Sequence, residues 1–320
     1  MERGPPAVTA SPLGRIVEIA EDGRYLAKDR GFLTINVKGS EVGRIPLDDL
    51  ATVMATSAAT TASCALLADL AARGIPFVLC GRNYAPAALL WPVAGHHAQQ
   101  RRIEAQIDRS RALAKRLWSQ IVVAKVRRQG WALARLGKPA GAFTRLAQSV
   151  KSGDPDNIEA QAARRYWGLM MGSDFRRDVE ADGANALLNY GYTVLRSATA
   201  RAIVAAGLHP GIGIFHRHPH NTMPLADDLM EPFRPFVDLV VVELLDNAIF
   251  NVTPGAKRAL AAALLAEEMT PAGHSPVSTC MVRLAASLAD SFLTGEPILE
   301  FPAVTLPKSA GAAATDGPDQ

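Results

Sequence analysis

From residue 14 to about residue 91 the apolar positions come in short runs. RIVEIA, RYLAK, FLTINVKG and VGRIPL are rich in β-branched or aromatic residues, and Glu21-Asp22-Gly23 and Lys38-Gly39-Ser40 separate them as turn signals. That pattern predicts short strands in a small sheet or sandwich. TASCALLADLAARGI then sets apolar residues at helical spacing with Gly74 as a stop, and IPFVLC and ALLW read as two further strands. Pro92 and Gly95 break the pattern. From Gln99 to about Glu300 strand alternation disappears, and long Ala- and Leu-rich segments such as ANALLNYGYTVLRSATARAIVAAG and AKRALAAALLAEEM carry a 3.6-residue period. The expectation is a two-domain α+β chain. A β-rich domain covers 11–93, an all-α helical domain covers 99–305, and 306–320 is a disordered tail with nothing to bury. A length of 320 residues agrees with two cores rather than one.

Composition adds little until it is read locally. Cys64, Cys80 and Cys280 are odd in number and far apart, which excludes a disulfide framework and a paired-cysteine zinc site and predicts reduced, buried apolar thiols. No apolar run approaches the roughly 20 residues of a membrane span, and the N-terminus lacks the order of a signal peptide. A soluble cytoplasmic protein is expected. Net charge is only +3, yet Ala98 to Lys151 holds thirteen Lys or Arg against two acids, Glu104 and Asp108. Such a field attracts polyanions, and Lys and Arg contacts to phosphate dominate nucleic-acid affinity. Arg101, Arg102, Arg109 and Lys115, with Arg164 and Arg165 further on, are the candidate DNA contacts.

Candidate chemistry concentrates between residues 213 and 238. GIFHRHPHNTMPLADDLMEPFRPFVD packs three histidines and a run of carboxylates into two dozen positions. Asp228 and Glu231, three apart, share a face of a continuous helix, but Pro232 biases Glu231 toward a break between two helices. Arg234 is the plain salt-bridge partner there. Upstream, Asp154-Pro155-Asp156-Asn157 reads as a helix start and puts Glu159 in the first turn. One imidazole among carboxylates suits Mg²⁺ or Mn²⁺, with nitrogen tilting the choice toward Mn²⁺. An ion of that kind polarises a phosphoryl oxygen, so phosphodiester chemistry is its natural use. His218 and His220 alternate with His216, as in some zinc sites, although Pro219 and the loop setting weaken that arrangement.

NIEAQAARRYW, NALLNYGYTVLRSATARAIVAAGLHPGIGIFH and LADDLMEPFRPFVD, in this order and spacing, resemble the CRISPR-associated integrase and endonuclease family of spacer acquisition (CRISPR-associated protein one), in its type II-like form. The resemblance runs from Gly14 to about Phe301. It implies a β-sandwich that packs against a second copy, a helical domain with one metal centre, and a homodimer. Two such dimers flank a dimer of a small ferredoxin-fold adaptation subunit in a heterohexameric integrase on double-stranded DNA, and the type II effector nuclease is a further candidate partner. Glu159, His216 and Glu231 then align with the family's catalytic metal ligands, and Asp228 with an accessory acid. The implied reaction is insertion of short DNA into a repeat array by 3′-hydroxyl transesterification, with hydrolysis when water replaces the hydroxyl. Two other readings stand beside it: a non-catalytic DNA-binding scaffold of the same assembly, and an unrelated zinc hydrolase using His216, His218 and His220.

Overall fold

A computed structural model describes residues 15–81, 86–90, 92–93, 96–270 and 273–304. The chain opens with β1 (Arg15–Ile19), β2 (Tyr25–Asp29), β3 (Phe32–Val37) and β4 (Ser40–Pro46), followed by β5 (Leu50–Ala55), the short β6 (Thr61–Ala62), α1 (Cys64–Ala72), β7 (Phe77–Cys80) and β8 (Pro86–Leu90). Two four-stranded sheets result, in the orders β1-β5-β7-β8 and β4-β3-β2-β6. In the first, β1, β5 and β7 run parallel and β8 closes antiparallel. In the second, β2, β3 and β4 form an antiparallel meander that β6 joins parallel to β2.

All four opening runs of the sequence become strands. LATVMA, the β5 strand, had no strand signal of its own, because it lacks apolar-polar alternation. Its residues 52–55 are all buried, and the strand lies between β1 and β7. A strand covered on both faces has no polar side to display. Leu26, Leu33, Val53, Leu66, Leu70 and Phe77 fill the core beneath these strands and α1.

The helical part comprises α2 (Gln99–Asp108), α3 (Arg111–Arg135), α4 (Gly141–Ser149), α5 (Ile158–Met171), α6 (Ala184–Ala205), α7 (Pro224–Met230), α8 (Arg234–Asp246) and α9 (Pro254–Ala262). β9 (Glu267–Thr270), β10 (Gly273–Pro276) and α10 (Val277–Thr294) complete it. The antiparallel β9–β10 hairpin corrects the expectation of an all-α domain. Helical periodicity in AKRALAAALLAEEM ends at Ala262, and Glu267 to Thr270 instead alternate exposed and buried. Glu268 turns inward to Arg128 at 2.7 Å, so a buried ion pair takes over where the helix pattern stops.

A second, larger core gathers α3, α6, α8 and α10 around residues such as Leu117, Ile121, Leu195, Val241 and Leu284. Gly191 of α6 permits this packing, since a Cβ there would collide with Val237 of α8 and press on Leu260 of α9. The first sheet is tied to the helices by Glu18 of β1. Its carboxylate is 2.6 Å from Lys257 Nζ of α9 and accepts from the Tyr190 hydroxyl of α6 at 3.0 Å. The expected tail at 306–320 lies outside the described residues. Cys64 is exposed, Cys80 half-buried and Cys280 buried, so the expectation of buried thiols fails at Cys64, which opens the outer face of α1.

Candidate metal centre

Glu159 owes its position to Asp154 rather than to the proline of its helix start. Asp154 and Asn157 both adopt left-handed backbone conformations, with φ of 50° and 52°. That turn aims the Asp154 carboxylate at the first backbone amides of α5, where it accepts from Ile158 N at 2.8 Å and Glu159 N at 3.0 Å. These are amides that no helical carbonyl can satisfy. Glu159 therefore leaves the first turn of α5 toward the middle of α3, where Lys125 meets it with a direct hydrogen bond.

Glu231 arrives from the other side. α7 ends at Met230, and a single tight turn, Glu231–Phe233, joins it to α8. The expected exit from helical backbone before Pro232 does not occur: Glu231 keeps right-handed helical angles, φ −51° and ψ −45°, and only the hydrogen-bonding pattern tightens through the turn, with the Glu231 side chain buried. Glu231 Oε2 lies 2.6 Å from Lys125 Nζ, and Arg234 Nε donates to Oε1 at 3.1 Å. Burial alone would raise this carboxyl, but Arg234 and Lys125 outweigh it and hold it at about 2. Lys125 is raised above the ordinary lysine value even though burial opposes its charge, because Glu231 and Glu159 both face it.

His216 and Asp228 form a separate pair beside this trio. Asp228 is fully buried, and among the described residues its hydrogen bonds all go to the loop before α7. Its Oδ2 accepts from Ile214 N at 2.5 Å and Phe215 N at 3.1 Å, while Oδ1 accepts from His216 N at 3.1 Å and lies 2.7 Å from His216 Nδ1. Gly213 makes room for the loop: a Cβ there would meet His216 O at 2.6 Å and Pro224 Cβ at 2.8 Å. With Nδ1–H donated to Asp228, a neutral His216 ring keeps its Nε2 lone pair free, the arrangement that orients metal-binding imidazoles. The hydrogen bond to Asp228 raises the His216 pKa, against burial.

Of the sequence-derived ligands, Glu159 and Glu231 come together on Lys125, whereas His216 is held by Asp228. Among the described residues no three of His, Cys, Asp and Glu close into a cluster able to hold an ion. The donor types nonetheless fit a hard divalent cation. Two carboxylates converge on a buried positive charge, and Glu231 Oε2 touches Lys125 without the alignment of a hydrogen bond, so its lone pairs are incompletely used. Lys125 thus marks where positive charge is required. A cavity of about 200 Å³ opens there, lined by Lys125, Glu159, Glu231 and Arg234. Asp238 lines its far wall, accepting from the Tyr166 hydroxyl at 2.8 Å and the Tyr192 hydroxyl at 2.5 Å.

Not every cation of the basic stretch faces solvent. Lys125 and Arg128 are buried in ion pairs. Arg102 donates to Ala206 O at 2.9 Å, and Arg109 donates to the Gln106 and Gly213 carbonyls. Arg101, Lys115, Arg164 and Arg165 are exposed. His218 and His220 are also exposed, with ring centroids 5.5 Å apart, while His216 turns to Asp228. Sequence reasoning missed Lys125 as a member of the centre. Its signal was the buried stripe Leu117, Ile121, Lys125 of α3, a charge on an apolar face that requires partners.

The sequence profile of the family described as CRISPR associated protein Cas1 matches residues 17–270. A CRISPR-associated endonuclease Cas1 from Neisseria meningitidis is 35% identical over 246 residues, covering 76% of this chain and 80% of the relative. A casposase bound to integration product superposes with a TM-score of 0.73 at 19% identity, covering 90% of this chain and 93% of that one. A Cas6-RT-Cas1–Cas2 complex matches with a TM-score of 0.71 at 16% identity, over 96% of this chain and 37% of that one. The latter two likenesses are of fold. No helix among the described residues is long and apolar enough to cross a membrane.

Proposed function

This chain belongs to the CRISPR-associated Cas1 family, and on that premise we propose that it is the endonuclease and integrase of spacer acquisition, with its reaction centre at Glu159, His216 and Glu231. The observation that carries the assignment of the centre is the convergence of Glu159 and Glu231, from elements 72 positions apart, on one buried cation. Carboxylates repel at such range unless positive charge lies between them. Their meeting marks a site built around a cation.

Glu159, His216 and Glu231 would hold Mg²⁺ or Mn²⁺, which would supply Lewis-acid polarisation of the phosphate and of the attacking oxygen. Each residue of the chain has a part around it. Arg234 fixes Glu231 in its ionised form, Asp228 turns His216 so that Nε2 is the free nitrogen, and Asp154 holds the start of α5 so that Glu159 faces α3. Lys125 balances the two carboxylates. In strand transfer a 3′-hydroxyl oxygen bonds to phosphorus as the bond to the leaving 3′-oxygen breaks; the attacking hydroxyl loses its proton to solvent, and the leaving 3′-oxygen takes one up from solvent. With water as the attacking group the same arrangement cuts.

The partners proposed for this chain are double-stranded DNA, a second copy of itself, and a small ferredoxin-fold adaptation subunit in a heterohexamer. The fold shared with a chain of a Cas1–Cas2 assembly supports the last of these. The domain limits 11–93 and 99–305 are proposed with them; a smaller core lies wholly within the first, while Met54 and Val78 of the first sheet pack into the larger, helical core.

Strand transfer and its reversal on a branched DNA, with Mn²⁺, Mg²⁺ or chelator, test this reading. Product is expected to require metal and to disappear in Glu159→Ala and His216→Ala. Tight DNA binding by the intact protein with no product, even alongside its small partner, would instead make it a non-catalytic scaffold.

A further inference from the structure

Next to His216, two aromatic rings lie flat on each other. Phe215 stacks on Trp118 of α3 with ring centroids 4.1 Å apart and planes 2° from parallel. Both rings meet His216 edge-on, at 5.7 Å from Trp118 and 5.8 Å from Phe215. Trp118 is buried, and its Nε1 has no hydrogen-bond partner among the described residues. Phe215 is 51% exposed. One side of it covers Trp118, and the remainder opens on a groove of about 520 Å³.

The walls of that groove are selective. Arg111, Lys115 and Arg217 line it together with Gly153 and Ile214, and among the described residues no carboxylate does. Several cations nearer the centre are held by partners: Lys125 by Glu159 and Glu231, Arg234 by Glu231, Arg196 by Asp227, Arg128 by Glu268, and Arg177 by the amide oxygens of Asn185 and Asn189. Arg111, Lys115 and Arg217 have no ion-pair partner among the described residues. The positive field is felt at neighbouring Arg109, whose guanidinium is lowered by burial and then by Arg217.

An aromatic that only capped the core would not need three unpaired cations around it. Parallel aromatic planes with a cationic rim are the combination that binds unpaired nucleotides, the base stacking on the ring while Lys and Arg hold the flanking phosphates. Within a duplex every base face is covered except at the two terminal pairs, so an unpaired strand offers such a ring far more free base faces. We propose that Phe215, backed by Trp118, is a stacking platform for one unpaired base of the DNA strand that reaches the His216 side of the centre, with Arg111, Lys115 and Arg217 gripping its phosphates. The proposal deepens the integrase reading and rests on it for the identity of the ligand. Stacking beside the reacting end would hold that end in register with Glu159 and Glu231.

The test is equilibrium binding of the full-length protein, in chelator, to a duplex with single-stranded 3′ ends and to a blunt duplex of equal phosphate count. Phe215→Ala is expected to weaken overhang binding about tenfold while changing blunt binding by less than about twofold, the sequence-tolerant loss typical of one stacked base. Phe215→Tyr should restore it, since the plane is kept. A 2-aminopurine in the overhang should be quenched at one position by the wild type and not by Phe215→Ala. Unchanged overhang affinity in Phe215→Ala, or equal loss on both duplexes, would overturn the platform. Glu159→Ala should keep the overhang preference while losing strand transfer. A platform that fails thus leaves the catalytic reading standing, and overhang selectivity that depends on Phe215 supports the platform even if strand transfer is never seen.

Discussion

Lys125 ties the two proposed carboxylate ligands into one buried ion-pair network. It occupies an apolar stripe of α3, and removing a single partner from a buried ion pair leaves an uncompensated charge that destabilises by about 3–5 kcal/mol. Replacing it with Met keeps the bulk and deletes the charge, so Glu159 and Glu231 face each other with only Arg234 to offset them. Lys125→Met is expected to lose on the order of 3 kcal/mol in chelator, and added Mn²⁺ should recover part of the loss by supplying the missing charge. Thermal unfolding with and without Mn²⁺ measures this, and a variant indifferent to Mn²⁺ would remove the cation-requiring role of the carboxylate pair. Glu159 and Glu231 were legible as candidates in the sequence because their neighbours, a helix start and the proline at position 232, leave local marks. Lys125 was hidden among twelve other basic residues of its segment, and only burial distinguishes it from them.

At the scale of the element, the first turn of α5 governs where Glu159 goes. The two hydrogen bonds from Asp154 replace helical acceptors that do not exist at this end, and losing such a cap costs about 1 kcal/mol, up to about 2. Asp154→Ala is expected to lower stability by about that amount while reducing strand transfer far more, since Glu159 would no longer be directed at Lys125. Urea unfolding and strand-transfer assays on the same preparation separate the two effects; parallel losses would make Asp154 a cap and nothing else. The sequence announced this helix start, but Pro155 and the neighbouring acids drew attention from Asp154, whose role depends on two left-handed residues. The same kind of limit applies to β5 and β9. Periodicity reports a difference between two faces, so a strand buried on both sides, or one whose inward residue is a glutamate paired to a distant arginine, carries no ordinary strand signature.

At the scale of the whole molecule, the helical part is tied together through polar contacts inside the larger core. Asp238 of α8 takes the hydroxyls of Tyr166 from α5 and Tyr192 from α6, so one carboxylate binds three helices together. Burial raises it to about 6, against the lowering effect of those two hydroxyls, from an ordinary value of 3.8. Between those values the folded protein holds a proton that the unfolded chain has released. The contribution of this group to stability is therefore largest at the acid end of that window and falls as pH rises toward about 6. Asp238→Asn removes the titration. Relative to wild type, the variant is expected to gain on the order of 2–3 kcal/mol between about pH 4 and pH 7, whatever the fixed effect of the substitution. Denaturant unfolding at both pH values checks it, and a constant difference between the two proteins would show that Asp238 does not carry the shift.

The sequence by itself determined the division into a β-rich and a helical part, the basic stretch, and the candidate ligands Glu159, His216 and Glu231. Each depends on spacing, turn residues or a motif within a few dozen positions, and such local preferences are written into every segment. Tertiary structure alone decided that Glu159 and Glu231 share a lysine, that Asp228 spends both oxygens on the loop of His216, that Arg102 and Arg109 turn inward while Lys115 stays out, and that Phe215 lies on Trp118. These pairings join residues up to 106 positions apart. They are set by which side chains can be desolvated together in a dense interior, where a charge is tolerated only beside its complement.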